Sequence, residues 1–387
     1  MPTHDAERPA PLLTDGSNTF ARFSMAVRVP KILDEVLERN PDYSPGIKSA
    51  IAALRDGIAG DAPLPPLAFP APDGAEWEPE WLDRRGQTWL KSQWFFVECY
   101  VYRCLMIATR YFETGRDPFT PAKQAELDGH ELFERLGAVL EGTGSKAEER
   151  LFVLLGAALW GNRVDLSYAV GKAFGHDGAH DDLLSDDRAS VVERILSANN
   201  DIHVVADNAG SELAMDLALA GAMLELSPAR VTFHVKAHPT FVSDALAADV
   251  WSLIFALQKR DKTVKALGEG LERAFIGGRF RIAPDGFWNG PRFLWQRPPR
   301  LSRELDRADL VVLKGDANYR RALGDAIWPS PTTFAEATAY MPAPLVCLRT
   351  MKSDSLAGVT EERIAALDQA DPAWRVNGRR GVIQAKR

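Results

Sequence analysis

The chain has 387 residues, 46% of them hydrophobic and 26% charged, with a formal net charge of −7. That length predicts two units, or one unit with a large appendage, and the composition excludes a disordered chain. The negative balance argues against a general nucleic-acid binder, and three cysteines without a CxxC pair, Cys99, Cys104 and Cys347, fit a reducing compartment. The N-terminus lacks a basic region followed by an apolar core, and the most apolar run, from Leu151, is too short to span a bilayer. A cytoplasmic protein without a membrane partner is expected.

Residues 1 to 20 are Pro-rich and polar, and are expected to be loosely ordered until something packs on Phe20 and Phe23. Helical patterns follow near 30–39 and 45–58. Residues 61–81 carry six prolines and read as an extended connection. WFFVECYVYRCLMIATRYF, 94–112, is apolar on nearly every face and reads as one long buried helix. Two or three more helices fill 120–200, and no strand-like alternation precedes residue 202. Residues 1–198 are therefore expected to form an all-helical N-terminal domain.

Beyond that point short β-branched runs alternate with helical patterns: IHVVA (202–206), RVTFHVKA (230–237), RFRIA (279–283), DLVVLK (309–314) and PLVCLR (344–349). This rhythm predicts an α/β fold over 199–387, a mainly parallel Rossmann-like sheet with flanking helices. In such sheets ligands bind at the carboxyl ends of the strands. Asp207 and Asn208 would stand there, followed by Gly210 for a sharp turn and by Ser211, which can cap a helix whose start favours an anion. Two hard oxygen ligands suit a divalent cation, although D-N-x-G is also an ordinary turn.

Asp244, after the next strand, offers a third oxygen, or else a plain helix cap. KGDANYRR (314–321) and LRTMK (348–352) put Lys314, Asn318, Arg320, Arg349 and Lys352 beyond later strands, where cations and backbone after Gly315 can hold a phosphate. GHDGAHDD, 175–182, looks metal-like but reads as a solvated acidic loop. His234 and His238 lack the glutamate of a zinc helix and lie in a strand pattern.

In that order, DNAGSELAMDLALA, FHVKAHPTFVSD, LVVLKGDANYRRALGD and PAPLVCLRTMKSD resemble the metal-dependent damage-control phosphatases of the RTxK subfamily, which have also been described as protein-glutamate carboxyl methyltransferases. WFFVECYVYRCL, DPFTPAK and WGNRVDLS look like the same family's helical half, so the resemblance spans about Trp94 to Lys352. It implies metal ligation by Asp207, Asn208 and Asp244, and substrate contacts from Glu212, which matches a family acid near the site, and from Asp316, Ala317, Asn318, Tyr319, Arg320 and Lys352. Ser211 and His238 depart from the family pattern, which bears on pocket shape. The expected activity is hydrolysis of a small-molecule phosphate ester, such as fructose 1-phosphate, with a divalent metal (manganese, cobalt, nickel or magnesium). The alternatives are methyl transfer from S-adenosylmethionine to protein carboxylates, and a non-enzymatic sugar-phosphate or metal-binding module.

Overall fold

The computed structural model describes residues 8–67, 71–161 and 182–386; GHDGAHDD up to His180 and Asp181, and all but the first two residues of WGNRVDLS, lie outside them. The five β-branched runs fold as β2 (Asp201–Val205), β3 (Arg230–Lys236), β4 (Phe280–Asp285), β5 (Leu310–Lys314) and β6 (Leu345–Thr350), and all five are parallel. Two short strands escaped the sequence reading. β1 (Leu183–Asp186) and β7 (Gly381–Lys386) complete a seven-stranded sheet in the order β1-β7-β6-β5-β2-β3-β4, with β7 antiparallel to β6. β1 has four residues and ends in an acid, so it shows no periodicity to read. β6 is consequently not the last strand, and β1 breaks the expected run of helices before residue 202.

Among the helices, α1 (Val29–Arg39) and α2 (Pro45–Ala59) lie where expected. The Pro-rich stretch is not wholly extended, because α3 (Gly74–Leu82) forms across Pro79. Its Trp77 is buried in the helical core, so tertiary packing overrides local propensity. The apolar run 94–112 divides into α4 (Trp94–Ala108) and one turn at Tyr111–Thr114, broken where Arg110 takes a left-handed backbone. α5 (Thr120–Asp128) and α6 (Ala147–Trp160) follow.

The central helix is α7 (Ser211–Leu226), apolar on every face because it is covered by the sheet on one side and by α6 on the other. α8 (Ala247–Leu257) follows β3, and α9 (Gly315–Leu323) follows β5. The carboxyl ends of β2, β3, β5 and β6 form one rim, and α4 lies across it. Leu12 and Thr14 tie the N-terminal segment to α4 and its approach, with Trp94 N–H donating to the Leu12 carbonyl at 2.9 Å and Thr14 N–H to that of Ser92 at 2.9 Å.

Arg320 of α9 holds the rim to α4. Its guanidinium donates to Asp325 at 2.6 and 3.2 Å, pairs with Glu98 of α4, and stacks 3.8 Å over the Trp94 ring. Arg320→Ala would leave Glu98 and Asp325 as buried carboxylates without their cation, so we expect it to cost about 3 to 5 kcal/mol in urea unfolding. A midpoint equal to wild type would show that Arg320 carries no structural load.

Candidate functional site

Past Val205 the chain stays beside β3 for one residue, with Ala206 N–H donating to the His234 carbonyl at 3.0 Å, and then turns away. Asn208 meets Asp244 in an isolated antiparallel bridge, flanked by Ala209 N–H to the Ser243 carbonyl (2.6 Å) and Ala245 N–H to that of Asp207 (2.8 Å). Backbone pairing, not side-chain chance, brings the two acids together. Asp244 is not the cap of the helix that follows: Leu246 N–H at the start of α8 donates to Asp249 at 2.8 Å.

Asp207, Asn208, Asp244, Asp316, Ala317, Arg320 and Lys352 all line one cavity on the rim. Its opposite wall comes from the helical half, from Ser24 and Arg28, from Val29 and Ile32 of α1, and from Trp94, Glu98 and Tyr102 of α4, with Phe241 from the loop after β3. Glu212 stands behind Asn208, whose side-chain amide donates to Asp207 and to Glu212 at 2.9 Å each, while the Ser243 hydroxyl donates to its oxygen at 2.6 Å. Three expected contacts do not reach the cavity, Glu212 among them. Asn318 donates to the carbonyls of Ala206 (3.2 Å) and Lys314 (2.8 Å), and the buried Tyr319 hydroxyl donates to Gln384 at 2.8 Å.

The cations divide into spent and free. Lys314 lies between Glu212 at 3.0 Å and Asp216 at 2.9 Å and donates to the Ala158 carbonyl of α6 at 2.6 Å. Lys236 pairs with Asp244 at 3.1 Å, both side chains nearly inaccessible at 1% and 2%. Arg349, completely buried, is taken by Asp316 at 2.7 Å and by the carbonyl and hydroxyl of Ser353. Asp316 also accepts the Lys352 backbone N–H at 3.3 Å, which positions that residue. Among the described residues, the ammonium of Lys352 and the guanidinium of Arg28 are the two cations of the cavity wall with no partner.

Burial, then the charges of Glu212 and Asp244, push the Asp207 carboxyl well above the usual aspartate range, with Lys352 and Lys236 only partly offsetting this. Burial raises Asp244 as well, against the pull of Lys236. For Glu212 burial is outweighed by Lys314 and then Lys352, which hold its carboxyl low. Asp207 and Asp244 thus form a crowded buried pair whose charge lacks sufficient compensation, the Lys236 ammonium 3.1 Å from Asp244 Oδ2 being the one cation in direct contact with either carboxylate among the described residues. Carboxylate and amide oxygens under such repulsion fit a hard divalent cation.

The helix start expected to attract an anion is already occupied. Glu126 of α5 accepts the Ser211 N–H at 2.7 Å, and a Cβ at Gly210, where φ is +72°, would fall 2.1 Å from its Oε2. Neither this nor the role of Lys123, which donates to the Asp244 carbonyl at 3.1 Å and to Asp249 at 2.8 Å, was readable from local pattern. The sequence reading also missed Ser24, Arg28, Trp94, Glu98 and Tyr102, because nothing in a helical pattern shows which distant rim it will cover.

A second set of metal-type ligands is formed by His203 of β2, His234 of β3 and Glu304, with ligand atoms within 4.8 Å of one another. His203 Nδ1 and His234 Nε2 are 2.8 Å apart and the ring centroids 5.1 Å, so an in-line N–H···N bond uses the lone pair that a metal would need. Glu304 is paired with Arg281. This geometry is that of a structural histidine pair.

A family model described as the damage-control phosphatase ARMT1-like domain matches residues 24–367. The chain is 29% identical to Damage-control phosphatase ARMT1 of Xenopus laevis, over 97% of this chain and 98% of that one. It is 26% identical to the Homo sapiens protein of the same name, with the same coverage. The crystal structure of a DUF89 family protein from Pyrococcus horikoshii shares the fold, with a TM-score of 0.53 and 14% identity over 94% of this chain and 98% of that one.

The raised Asp207 carboxyl gives a stability signature. Its folded-state affinity for a proton exceeds that of the unfolded chain, so its contribution is present below the ordinary aspartate range, about pH 4, and is lost as pH rises toward neutrality. Metal-free Asp207→Asn is expected to melt at a temperature no lower than wild type near pH 4, and higher at pH 7 to 8. A Tm well below wild type at both would make Asp207 a structural carboxylate.

Proposed function

The chain belongs to the ARMT1-like damage-control phosphatase family, and from that premise we propose that it hydrolyses small phosphate monoesters, sugar phosphates such as fructose 1-phosphate among them. A divalent metal such as manganese would be held by Asp207, Asn208 and Asp244. The observation that carries this reading is that these three oxygen donors and the unpaired Lys352 line one cavity. The proposed setting is the cytoplasm, with a small molecule as partner; among the described residues no helix is long and apolar enough to cross a membrane.

When bound, the metal supplies Lewis-acid polarisation of a phosphoryl oxygen. The chain's own groups do the positioning. Asn208 has its amide nitrogen held by Asp207 and Glu212, which leaves the second lone pair of Oδ1, beside the Ser243 hydroxyl it accepts, for the metal. Asp244 is fixed by its bridge to Asn208 and by Lys236. Lys352, held through its backbone by Asp316, donates to a second phosphoryl oxygen. Arg320, Arg349 and Asp316 act as positioning residues, since each is engaged with other protein groups. The nucleophile is either water or the Asp207 carboxylate; acid quenching of a labelled turnover separates them, because only the second leaves phosphate on the chain.

Methyl transfer has no comparable support. A nucleoside-type cofactor needs an open glycine turn at the first strand end, and here Glu126 fills the turn at Gly210.

Two tests follow directly. Exhaustive chelation is expected to abolish turnover of a sugar-phosphate panel and metal add-back to restore it; undiminished turnover after chelation would exclude metal assistance. Lys352→Ala is expected to lose about 2 to 4 kcal/mol of transition-state stabilisation, roughly 30- to 1000-fold in kcat/KM. Lys352→Arg should recover little, because a planar fork differs from a compact ammonium. Equal kcat/KM for all three proteins would remove Lys352 from the active site.

A further inference from the structure

The wall facing the metal ligands has an unusual backbone. Ser24–Arg28 is a single π-helical turn, in which Val29 N–H donates to the Ser24 carbonyl, leading directly into α1. Pro30, the second residue of α1, has no N–H for the carbonyl four residues back, and its ring would clash there in a regular helix. The widened turn relieves this. π-Turns of this kind recur at functional sites, and this one places Ser24 and Arg28 in the cavity wall.

Three hydrogen-bond donors of this wall have no acceptor among the described residues. The Ser24 hydroxyl is fully buried and unpartnered, the Trp94 indole N–H in the same wall is buried and unpartnered, and the Arg28 guanidinium makes no ion pair. Buried donors without partners are costly and rare, and two beside one cavity, with an exposed and unpaired guanidinium on the same wall, call for a ligand rich in acceptors. A phosphoryl group is such a ligand, and a guanidinium fork matches two of its oxygens.

Resting on the phosphatase reading, we propose that the Ser24–Arg28 turn is the phosphate clamp of the site. Arg28 grips non-bridging oxygens from the helical side, Ser24 adds a donor, and the metal ligands and Lys352 face the same group from the rim. The substrate class follows: compact monophosphates whose phosphate is enclosed between the two walls, rather than esters whose anion projects into solvent.

Calorimetric binding of inorganic phosphate to the full-length, manganese-loaded protein tests this independently of turnover. Arg28→Ala is expected to weaken phosphate binding, and to raise the KM of a sugar phosphate and the Ki of phosphate, by a common factor of about 10- to 100-fold. Its kcat should change far less, and its Tm should stay at the wild-type value because Arg28 is exposed and unpaired. Arg28→Lys should recover part of the loss, and Ser24→Ala should weaken binding by a few fold. Wild-type phosphate binding in Arg28→Ala overturns the clamp, as does a change confined to the KM of larger substrates, which would place Arg28 on a distal group. Wild-type protein that binds phosphate through Arg28 but turns over no phosphate ester would instead overturn the phosphatase reading and leave the clamp standing.

Discussion

Asp207, Glu212 and Asp244 are buried together at one strand end, and the rest of the site is arranged around their mutual repulsion. Carboxylates out of water need a cation or a proton. Lys314 serves Glu212 from behind and is itself held by a carbonyl of α6. Lys236 serves Asp244 from the floor of the same rim. Asp207 receives no such partner, and burial together with the charges of Glu212 and Asp244 raises its carboxyl. It also rests against Gly315, where φ is +81° and a Cβ would come within 1.9 Å of Oδ2. The start of α9 therefore admits only glycine, and the strand-end acid and the loop after β5 depend on each other.

The helical half belongs to this arrangement. Lys123 reaches from α5 to the Asp244 carbonyl and to Asp249, fixing the turn that carries Asp244. Glu126, one helical turn further, caps α7 by accepting the Ser211 N–H. Two side chains of one short helix thus set the positions of both strand-end segments. The DPFTPAK stretch has its reason here: Asp117 accepts from Lys123 at 3.0 Å and keeps the ammonium in place. α4 closes the cavity from above while Arg320 joins it to α9, so the walls and the rim are held at a fixed separation.

What was legible in the sequence had a period or a local chemistry. Five parallel strands announced themselves by β-branched runs, and Asp207, Asn208, Asp244 and Lys352 by standing just past them. β1 and β7 were not legible, being a four-residue edge strand and a return strand that pairs with β6 and, across nearly two hundred residues of chain, with β1. α3 was hidden by proline content because its stability comes from Trp77 packing in the helical core. Arg320 and Arg349 looked like anion ligands because a sequence shows charge without showing Asp325, Glu98 or Asp316 around it. Arg28 was invisible for the converse reason: it is distinguished by lacking a partner, which only the folded chain reveals. Pro30 was a hint, since a proline two residues into a helix restricts what precedes it.

The central claim is that the strand-end oxygens, and not the histidine pair, hold the metal. Manganese binding followed by electron paramagnetic resonance tests it directly, with wild type, Asp244→Asn, Asp207→Asn and His203→Ala titrated side by side. Tight binding of a single ion that is lost in both aspartate variants and kept in His203→Ala is the result the account requires. Binding that survives in the aspartate variants and disappears with His203 would contradict it.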